Sequence, residues 1–287
     1  MDTDQLKTFL EVNRTRHFGR AARNLFLSQS AVSARIQALE DQIGTPLFVR
    51  IRNDIQLTPA GRRLVSHAEN ILAAWNRARH DALIEEERQA SLAVAGTASL
   101  WDITLQNWLH LFHRQRPDAA IRAEVHEAEI ILGKLLEGTL DLGFIFETPQ
   151  VAQLEAHQIA NVPLILVSSW KDISATEAVQ KKYVFVDWGL SFVTAHARHF
   201  PGISSPAIHL PLGRIALDYL LACGGSAYLA EPMATAVMQE GRLYRVADGP
   251  VIERSVYGLF PRDSERIELI QQALNPFTTN QQVMYDT

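Results

Sequence analysis

The sequence predicts an α/β protein with an α-rich head (residues 1–58), a long connecting helix (59–90) and a larger α/β body (91–287). Three observations predict this division. Short amphipathic segments fill the first part of the head, an apolar heptad stripe runs along the connecting helix, and strand-like and helix-like segments alternate through the body. With 287 residues, the chain is long enough for two or three domains.

The head begins with three predicted helices and ends in a hairpin. Residues 4–13 carry an apolar stripe at helical spacing, and residues 18–25 form a second short helical segment. Ser28 is a suitable N-cap for a third helix through about Gln42, and the tight second turn predicts a helix-turn-helix. Two extended segments within residues 47–58 then predict a β-hairpin wing with a basic edge.

The connecting helix opens at Thr58, a suitable N-cap, with Pro59 at the first helical position. A helix from Pro59 to about Arg88 would be about 45 Å long. Its apolar residues recur in steps of four and three, the spacing of a coiled-coil seam that pairs with a second copy of the chain. An amphipathic helix packed on its own domain is the alternative. The predicted dimerisation seam consists of Leu64, Ala68, Ile71, Trp75, Ala78 and Ala82.

The body alternates strands and helices in two cycles. The β-α-β-α-β order of residues 92–146 implies a parallel, doubly wound sheet, and a second cycle follows in residues 164–260. We expect two α/β lobes that separate near Pro163 and rejoin near Pro261. Lobe I would comprise residues 91–162 and 262–287, and lobe II would comprise residues 163–261.

Charge is distributed unevenly along the chain. The first 63 residues hold ten Lys or Arg and six Asp or Glu, a formal charge of +4, whereas the whole chain carries −5. The remainder therefore carries −9. A basic head on an acidic body indicates that only the head meets a polyanion such as nucleic acid.

Several classes of protein are disfavoured by what the sequence lacks. The N-terminus MDTDQLKTF is unlike a signal peptide, and no apolar run approaches the ~18 residues that cross a bilayer, so we expect a cytoplasmic protein. No phosphate-binding loop or serine-nucleophile motif is present, and the paired histidines lack partners at ligand spacing. We therefore expect no enzymatic activity, cofactor or metal. The single cysteine, Cys223, excludes an internal disulfide.

Several segments, taken in order, resemble one family. LKTFLEV, FGRAARNL, SQSAVSARIQALE, IGTPLFVR and LTPAG match the LysR-type transcriptional regulators from Leu6 through Gly61, and RTRHFGRAA and ASLWD are similar to the HdfR-like subgroup. The resemblance implies a winged helix-turn-helix, a dimerising linker helix and a two-lobed, periplasmic-binding-protein-like effector domain. It implies homodimers or homotetramers that bind double-stranded promoter DNA. RNA polymerase is a candidate further partner.

The third helix of the head would lie in the major groove, with its N-terminal residues at the base edges. Gln29 suits bidentate contact with adenine, and two nearby serines are small enough for close approach. The wing arginines suit phosphate or minor-groove contact, where positive charge matters more than shape. The predicted DNA-binding residues are Gln29, Ser30, Ser33, Arg35, Arg50 and Arg52.

The turn after the first body strand, residues 96–99, offers backbone N–H groups and two hydroxyls that can hold an anion, typically a carboxylate. In the family this turn lines the cleft between the lobes, so the resemblance implies a small-molecule effector there. Ordinary helix capping is the alternative for the two hydroxyls. The predicted effector-binding residues are Thr97, Ser99, Leu100, Ala128, Glu129, Phe146, Trp188, Ser191 and Ser226.

Three other interpretations stay open at this point. A solute-binding protein would explain the two lobes but not the basic head. An enzyme on the same lobes would need a nucleophile, metal or cofactor motif, and the sequence offers none. An architectural DNA binder would share the head but ignore small molecules. A ligand-dependent thermal shift of the body separates it from a sensor, because a ligand that binds only the folded form raises stability.

Overall fold

The computed structural model describes residues 2–51, 54–81, 90–147, 151–203 and 205–279. The chain divides into two compact units. The first unit contains residues 1–85 with residues 136–139, and the second contains residues 86–135 with residues 140–287. Each unit is described by itself.

The first unit contains the winged helix-turn-helix. Its elements are α1 (Thr3–Thr15), α2 (Phe18–Asn24), α3 (Gln29–Ile43), β1 (Phe48–Ile51), β2 (Asp54–Leu57) and α4 (Pro59–Asp81). The strands pair antiparallel, with Phe48 opposite Leu57. The helices enclose one apolar core, in which Phe9, Val32 and Leu47 are completely buried. The three predicted helices and the hairpin are therefore confirmed.

Local hydrogen bonds explain where these helices begin and end. The Oγ of Ser28 accepts a backbone N–H in the first turn of α3, which confirms the predicted N-cap, and Gly44 ends α3 with a positive φ. The Oγ1 of Thr58 does the same at the start of α4. The N-cap of α2 is His17, whose Nδ1 accepts two backbone N–H groups.

The second unit is a mixed α/β structure in which the short helix Ala98–Leu100 continues through a π-helical turn, Trp101–Leu105, into the helix Gln106–Gln115. Its strands are β3 (Ala90–Gly96), β4 (Ala119–Val125), β5 (Leu142–Ile145), β6 (Leu154–Ser168), β7 (Val184–Val186), β8 (Ile208–Leu210), β9 (Ser226–Ala230), β10 (Tyr244–Arg245) and β11 (Ile252–Pro261). Its helices are α5 (Ala98–Leu100), α6 (Gln106–Gln115), α7 (Ala128–Leu136), α8 (Ala175–Ala178), α9 (Leu190–His199), α10 (Gly213–Cys223), α11 (Glu231–Gln239) and α12 (Ile267–Thr279).

The main sheet has the strand order β10-β6-β11-β5-β3-β4, with β9 beside β6. Strand β3 pairs parallel with β4 and β5, as the sequence predicts. Strand β11 runs antiparallel to both β5 and β6, so the sheet as a whole is mixed, although the predicted parallel part of residues 92–146 is confirmed. The pattern of apolar residues revealed only the C-terminal third of β6, because only two of the ten preceding residues of this 15-residue strand are buried.

Helices α8, α9 and α11 of the second unit were not predicted. The described core of the second unit has two apolar clusters, and the larger one contains several buried aromatic rings. Trp108 is completely buried, stacks on Phe112 and Phe277, and donates its Nε1–H to the carbonyl of Ala273 at 2.6 Å. Among the described residues, no helix is long and apolar enough to span a bilayer.

His196, in α9, is a buried titratable group of the second unit. Its ring packs against Phe185 and Phe192, and its Nε2 lies 2.9 Å from the hydroxyl oxygen of Tyr183. Burial, and to a smaller extent the charge of His199, lowers the pKa of His196 below its ordinary value of 6.5. The folded protein therefore favours the neutral imidazole.

Because the folded-state pKa of His196 is the lower one, the unfolded chain binds more protons below about pH 6.5. We expect the free energy of unfolding to fall as the pH decreases from 6.5 toward the folded-state pKa, by at most about 1.4 kcal/mol per pH unit. Urea denaturation across this pH range measures the slope. The variant His196→Gln should flatten it, whereas the control His110→Gln, at an exposed histidine of the same unit, should not. An unchanged slope in His196→Gln would contradict the assignment.

Candidate functional site

The first turns of α3 carry the residues that the sequence predicts to contact bases. Gln29 and Ser30 are exposed, and Ser33 lies one turn beyond Gln29 on the same face and is half-buried. The hydroxyl oxygens of Ser30 and Ser28 are 2.9 Å apart, so Ser30 also takes part in the helix cap. A Gln side chain at this place offers a donor and an acceptor side by side, the pattern that matches adenine in the major groove.

Arg35 is turned toward α1 within the first unit. Its Nη2 lies 3.3 Å from a carboxylate oxygen of Asp4, and its Nη1 lies 3.5 Å from the hydroxyl of Thr8. The side chain therefore ties α3 to α1, and a contact with DNA would compete with the Asp4 pair. A DNA contact by Arg35 stays a prediction.

The wing is anchored to α3 by one carboxylate. An oxygen of Glu40 accepts the backbone N–H groups of Leu47 and Phe48 at 2.6 and 3.2 Å. Arg50 lies in β1, opposite Ile55 of β2. Arg52 lies outside the described residues, and the roles of both arginines stay predictions.

The first unit also presents features that were not predicted. Phe26, in the turn between α2 and α3, is 96% exposed and has a positive φ of 55°. Arg20 and Arg23 are exposed on α2 and add positive charge beside that turn. The charge of the N-terminal segment was the only sequence signal for the two arginines.

Helix α4 exposes only part of the predicted dimerisation seam. Ala68 is completely buried in the core of the first unit, and Leu64 packs against the same core, because α4 also forms one wall of that unit. The seam prediction is therefore corrected at Ala68, which has no surface to offer a second copy. Further along the helix, Ile71 and Trp75 are 37% and 48% exposed. The remaining seam residues are Ala78, which is exposed, and Ala82, which lies outside the described residues.

A cavity of about 480 Å³ opens in the second unit, at the carboxyl ends of the parallel strands β3, β4 and β5. Sheets of this kind bind ligands at that edge, and the volume is typical of small-molecule sites. Five predicted effector-binding residues line it: Thr97, Ser99, Ala128, Phe146 and Trp188.

Four predicted effector-binding residues are not among the lining residues. The prediction is corrected for Leu100 and Ser226, which are buried away from the cavity, whereas the roles of the other two stay predictions. Leu100 is completely buried in the apolar core, because the helical turn after Thr97 rotates it inward. Ser226 is buried in β9 and donates its hydroxyl to the Oγ of Ser168 at 3.0 Å. Glu129 and Ser191 are exposed and are not among the lining residues.

Thr97 distinguishes between capping and ligand binding. It occupies the N-cap position of α5, yet its side chain makes no capping hydrogen bond. Its Oγ1 is buried and has no hydrogen-bond partner. An unsatisfied buried hydroxyl costs about 1–3 kcal/mol, so the geometry favours a bound ligand over helix capping at this residue.

Arg254, in β11, is the principal lining residue that sequence reasoning missed. The side chain is 4% exposed, its Cζ lies 4.6 Å from the ring centre of Phe146, and its Nη1 is buried without a partner. Burial lowers the pKa of its guanidinium, an effect that Glu147 and Asp187 oppose. A signal was present in the sequence, because strand periodicity places Arg254 on the inward face that two apolar residues of β11 share.

A second depression, of about 570 Å³, lies against α6 and β4. The buried, unpartnered polar atoms of the described structure are absent from its lining. The described residues also contain no group of three His, Cys, Asp or Glu side chains that could hold a metal ion. The cavity beside Thr97 and Arg254 is therefore the candidate ligand site.

Two family models match the chain. The model of bacterial regulatory helix-turn-helix proteins of the lysR family covers residues 3–62, and the LysR substrate binding domain covers residues 85–279. The transcriptional regulator HdfR of Yersinia enterocolitica serotype O:8 is 36% identical over 283 residues, which span 96% of this chain and 95% of that relative.

Solved structures show the same fold. CbnR, in complex with its target DNA, has a TM-score of 0.54 at 21% identity, over 97% of this chain and 100% of that one. LysG of Corynebacterium glutamicum, with its bound effector Arg, has a TM-score of 0.59 at 18% identity, over 97% of this chain and 98% of that one. With both family models matched in order, the chain belongs to the LysR family and is a LysR-type transcriptional regulator.

Proposed function

We propose that this LysR-family regulator binds promoter DNA as a homodimer or homotetramer, with α3 in the major groove and the wing on the phosphates. The observation that carries the proposal is the exposed first turn of α3, where Gln29 and Ser30 face outward next to Ser33. The basic charge of the N-terminal segment supports the same orientation. In a helix-turn-helix, the N-terminal end of the recognition helix, which is α3 here, usually contacts the bases.

We further propose that a small molecule in the cavity of the second unit modulates DNA binding. The unpartnered Oγ1 of Thr97 and Nη1 of Arg254 support a ligand there, since both are buried polar atoms beside one cavity. We propose a cytoplasmic, non-enzymatic role, which the names of the relatives as transcriptional regulators support. RNA polymerase is a candidate further partner.

Fluorescence anisotropy of the full-length protein tests DNA binding. The probes are the duplex upstream of its own gene and a scrambled duplex of equal length. We expect the variant Gln29→Ala to lose about 1–3 kcal/mol of affinity for the native duplex and little for the scrambled one, because a base contact discriminates sequence. Gln42→Ala, at the exposed C-terminal end of α3, is the matched control.

The same titration at several salt concentrations tests the wing. Removing both arginines, Arg50→Ala with Arg52→Ala, should reduce the steepness of the log–log salt dependence by about 0.9 for each phosphate that is no longer neutralised. An equal loss of affinity for both duplexes in Gln29→Ala would contradict base reading by α3. Failure of the native protein to prefer any duplex from a genomic pool would contradict the proposal as a whole.

A further inference from the structure

We propose that the effector is a zwitterion, a small molecule with one carboxylate and one cationic group, as in an α-amino acid. The carboxylate would bind Arg254 and Thr97. The cationic group would lie among Glu127, Glu147 and Asp187. This inference rests on the proposed effector role of the cavity and names the chemical class of its occupant.

Arg254 and Thr97 form an incomplete anion site. The guanidinium is buried, yet its Nη1 has no partner, and its Nη2 reaches Glu147 only at 3.5 Å. Charge-assisted hydrogen bonds are ordinarily about 2.7–2.9 Å long, so this pair is loose. The buried Oγ1 of Thr97 lacks a partner as well and lines the same cavity. One ligand carboxylate has enough acceptor positions to satisfy both groups.

The guanidinium of Arg254 is held in place before any ligand arrives. One face lies over the ring of Phe146. On another side, a Cβ at Gly189 would lie 3.1 Å from Nη1, and the φ of this residue is +89°, so glycine provides both the space and the backbone conformation. The N–H of Gly189 donates to a carboxylate oxygen of Asp187 at 3.0 Å. A guanidinium that is already held in place loses little conformational entropy when a ligand binds, which favours recognition of a planar carboxylate.

The charges around the cavity favour a cationic group on the same ligand. Among the described lining residues, Glu127, Glu147 and Asp187 are acidic and Arg254 is basic, which gives a formal charge of −2. A simple carboxylate would make the occupied cavity more negative, and its binding would be opposed by three acids. A ligand that also carries a cation leaves the net charge unchanged and gains attraction from the acids.

Thermal unfolding of the full-length protein tests the ligand class. The probes are the common L-α-amino acids, tested one at a time, with acetate and propionate as carboxylates without a cation and ethylamine as a cation without a carboxylate. We expect at least one amino acid to raise Tm. Acetate, propionate and ethylamine should have no effect on Tm at the same concentration. The proposal is overturned if no amino acid raises Tm, or if a simple carboxylate raises it as much.

Variants test the assigned residues by calorimetric titration with the active amino acid. Arg254→Met should weaken its affinity about thirtyfold or more, while the ligand-free Tm stays the same or rises, because a poorly paired buried charge is removed. Arg245→Met, on the exposed side of β10, is the matched control and should leave the affinity unchanged. A lower Tm with native affinity would assign Arg254 a structural role and overturn the proposal.

Two further variants keep the test decisive if Arg254→Met fails to fold. Thr97→Val preserves side-chain shape and should weaken amino-acid binding by removing the hydroxyl. Glu147→Gln removes one negative charge from an exposed side chain and should also weaken amino-acid binding. Native affinity in both variants would overturn the proposal. If the protein keeps its sequence-specific DNA binding but no amino acid binds, this inference fails while the DNA-binding proposal stands.

Discussion

Replacing Trp75 with glutamate is expected to prevent dimer formation through α4 and to weaken promoter binding by about 100-fold or more. Trp75 is 48% exposed and Ile71 is 37% exposed on the same side of α4, so the two present an apolar surface that the described residues leave exposed. A carboxylate at the centre of such a contact would be buried without a partner. Loss of the dimer removes the avidity of two linked half-sites, which is worth about 10²–10⁴ in affinity.

Analytical ultracentrifugation measures the oligomeric state, and anisotropy on duplexes with one or two half-sites measures the avidity. Asn70→Glu is the matched control, because Asn70 is exposed on α4 but lies about 140° around the helix from Trp75. The control should remain a dimer with native affinity. If Trp75→Glu remains a dimer, or if both variants dissociate equally, α4 does not pair through this surface.

Replacing Gly61 with alanine is expected to destabilise the first unit by about 3 kcal/mol or more. A Cβ at this position would lie 2.2 Å from the carbonyl oxygen of Leu47 and 2.9 Å from Cδ2 of Leu57. The carbonyl cannot move freely, because it accepts the backbone N–H of Thr58 at 2.9 Å. The first turn of α4 and the start of the wing would have to separate. At an exposed helix position without close neighbours, replacing glycine with alanine stabilises by about 0.5–1 kcal/mol. The sign of the change in the free energy of unfolding therefore distinguishes a close contact from open space.

Urea denaturation followed by circular dichroism measures this effect, and promoter affinity should fall in parallel because the first unit carries α3. Gly133→Ala, in α7 of the second unit, is the control. No atom lies within 4 Å of its added Cβ, so this variant should be neutral or slightly stabilising. A Gly61→Ala protein with native stability would show that the wing and α4 separate at little cost.

The outline of the fold could be predicted because it depends on local physical chemistry. The caps at Ser28 and Thr58 need only a hydroxyl three residues before a backbone N–H. The amphipathic stripes need only the helical period. Thr97, Ala128 and Phe146 could be predicted to line the cavity, because each follows a parallel strand and such strands end at one edge of a sheet.

Sequence patterns could not reveal the direction or full length of β6 and β11. Alternation of apolar and polar residues gives the faces of a strand but not the strand beside it. In the first ten residues of β6, apolar residues recur without strict alternation, and only Leu154 and Val162 are buried. Helices α9 and α11 went unpredicted although both contribute to the apolar core. The membership of this core depends on which elements are brought together by the sheet.

The sequence by itself determined the winged helix-turn-helix, the family, and the three strand ends at which we propose that a ligand binds. Only the tertiary structure decided the chemistry of the cavity. Arg254 is separated from Thr97 by more than half the chain, and its burial follows from the antiparallel pairing of β11 with β5 and β6. The same holds for Ala68, whose heptad position suits a partner helix but whose surface is covered by its own unit. Periodicity defines the face on which a residue lies, whereas only long-range packing defines what covers that face.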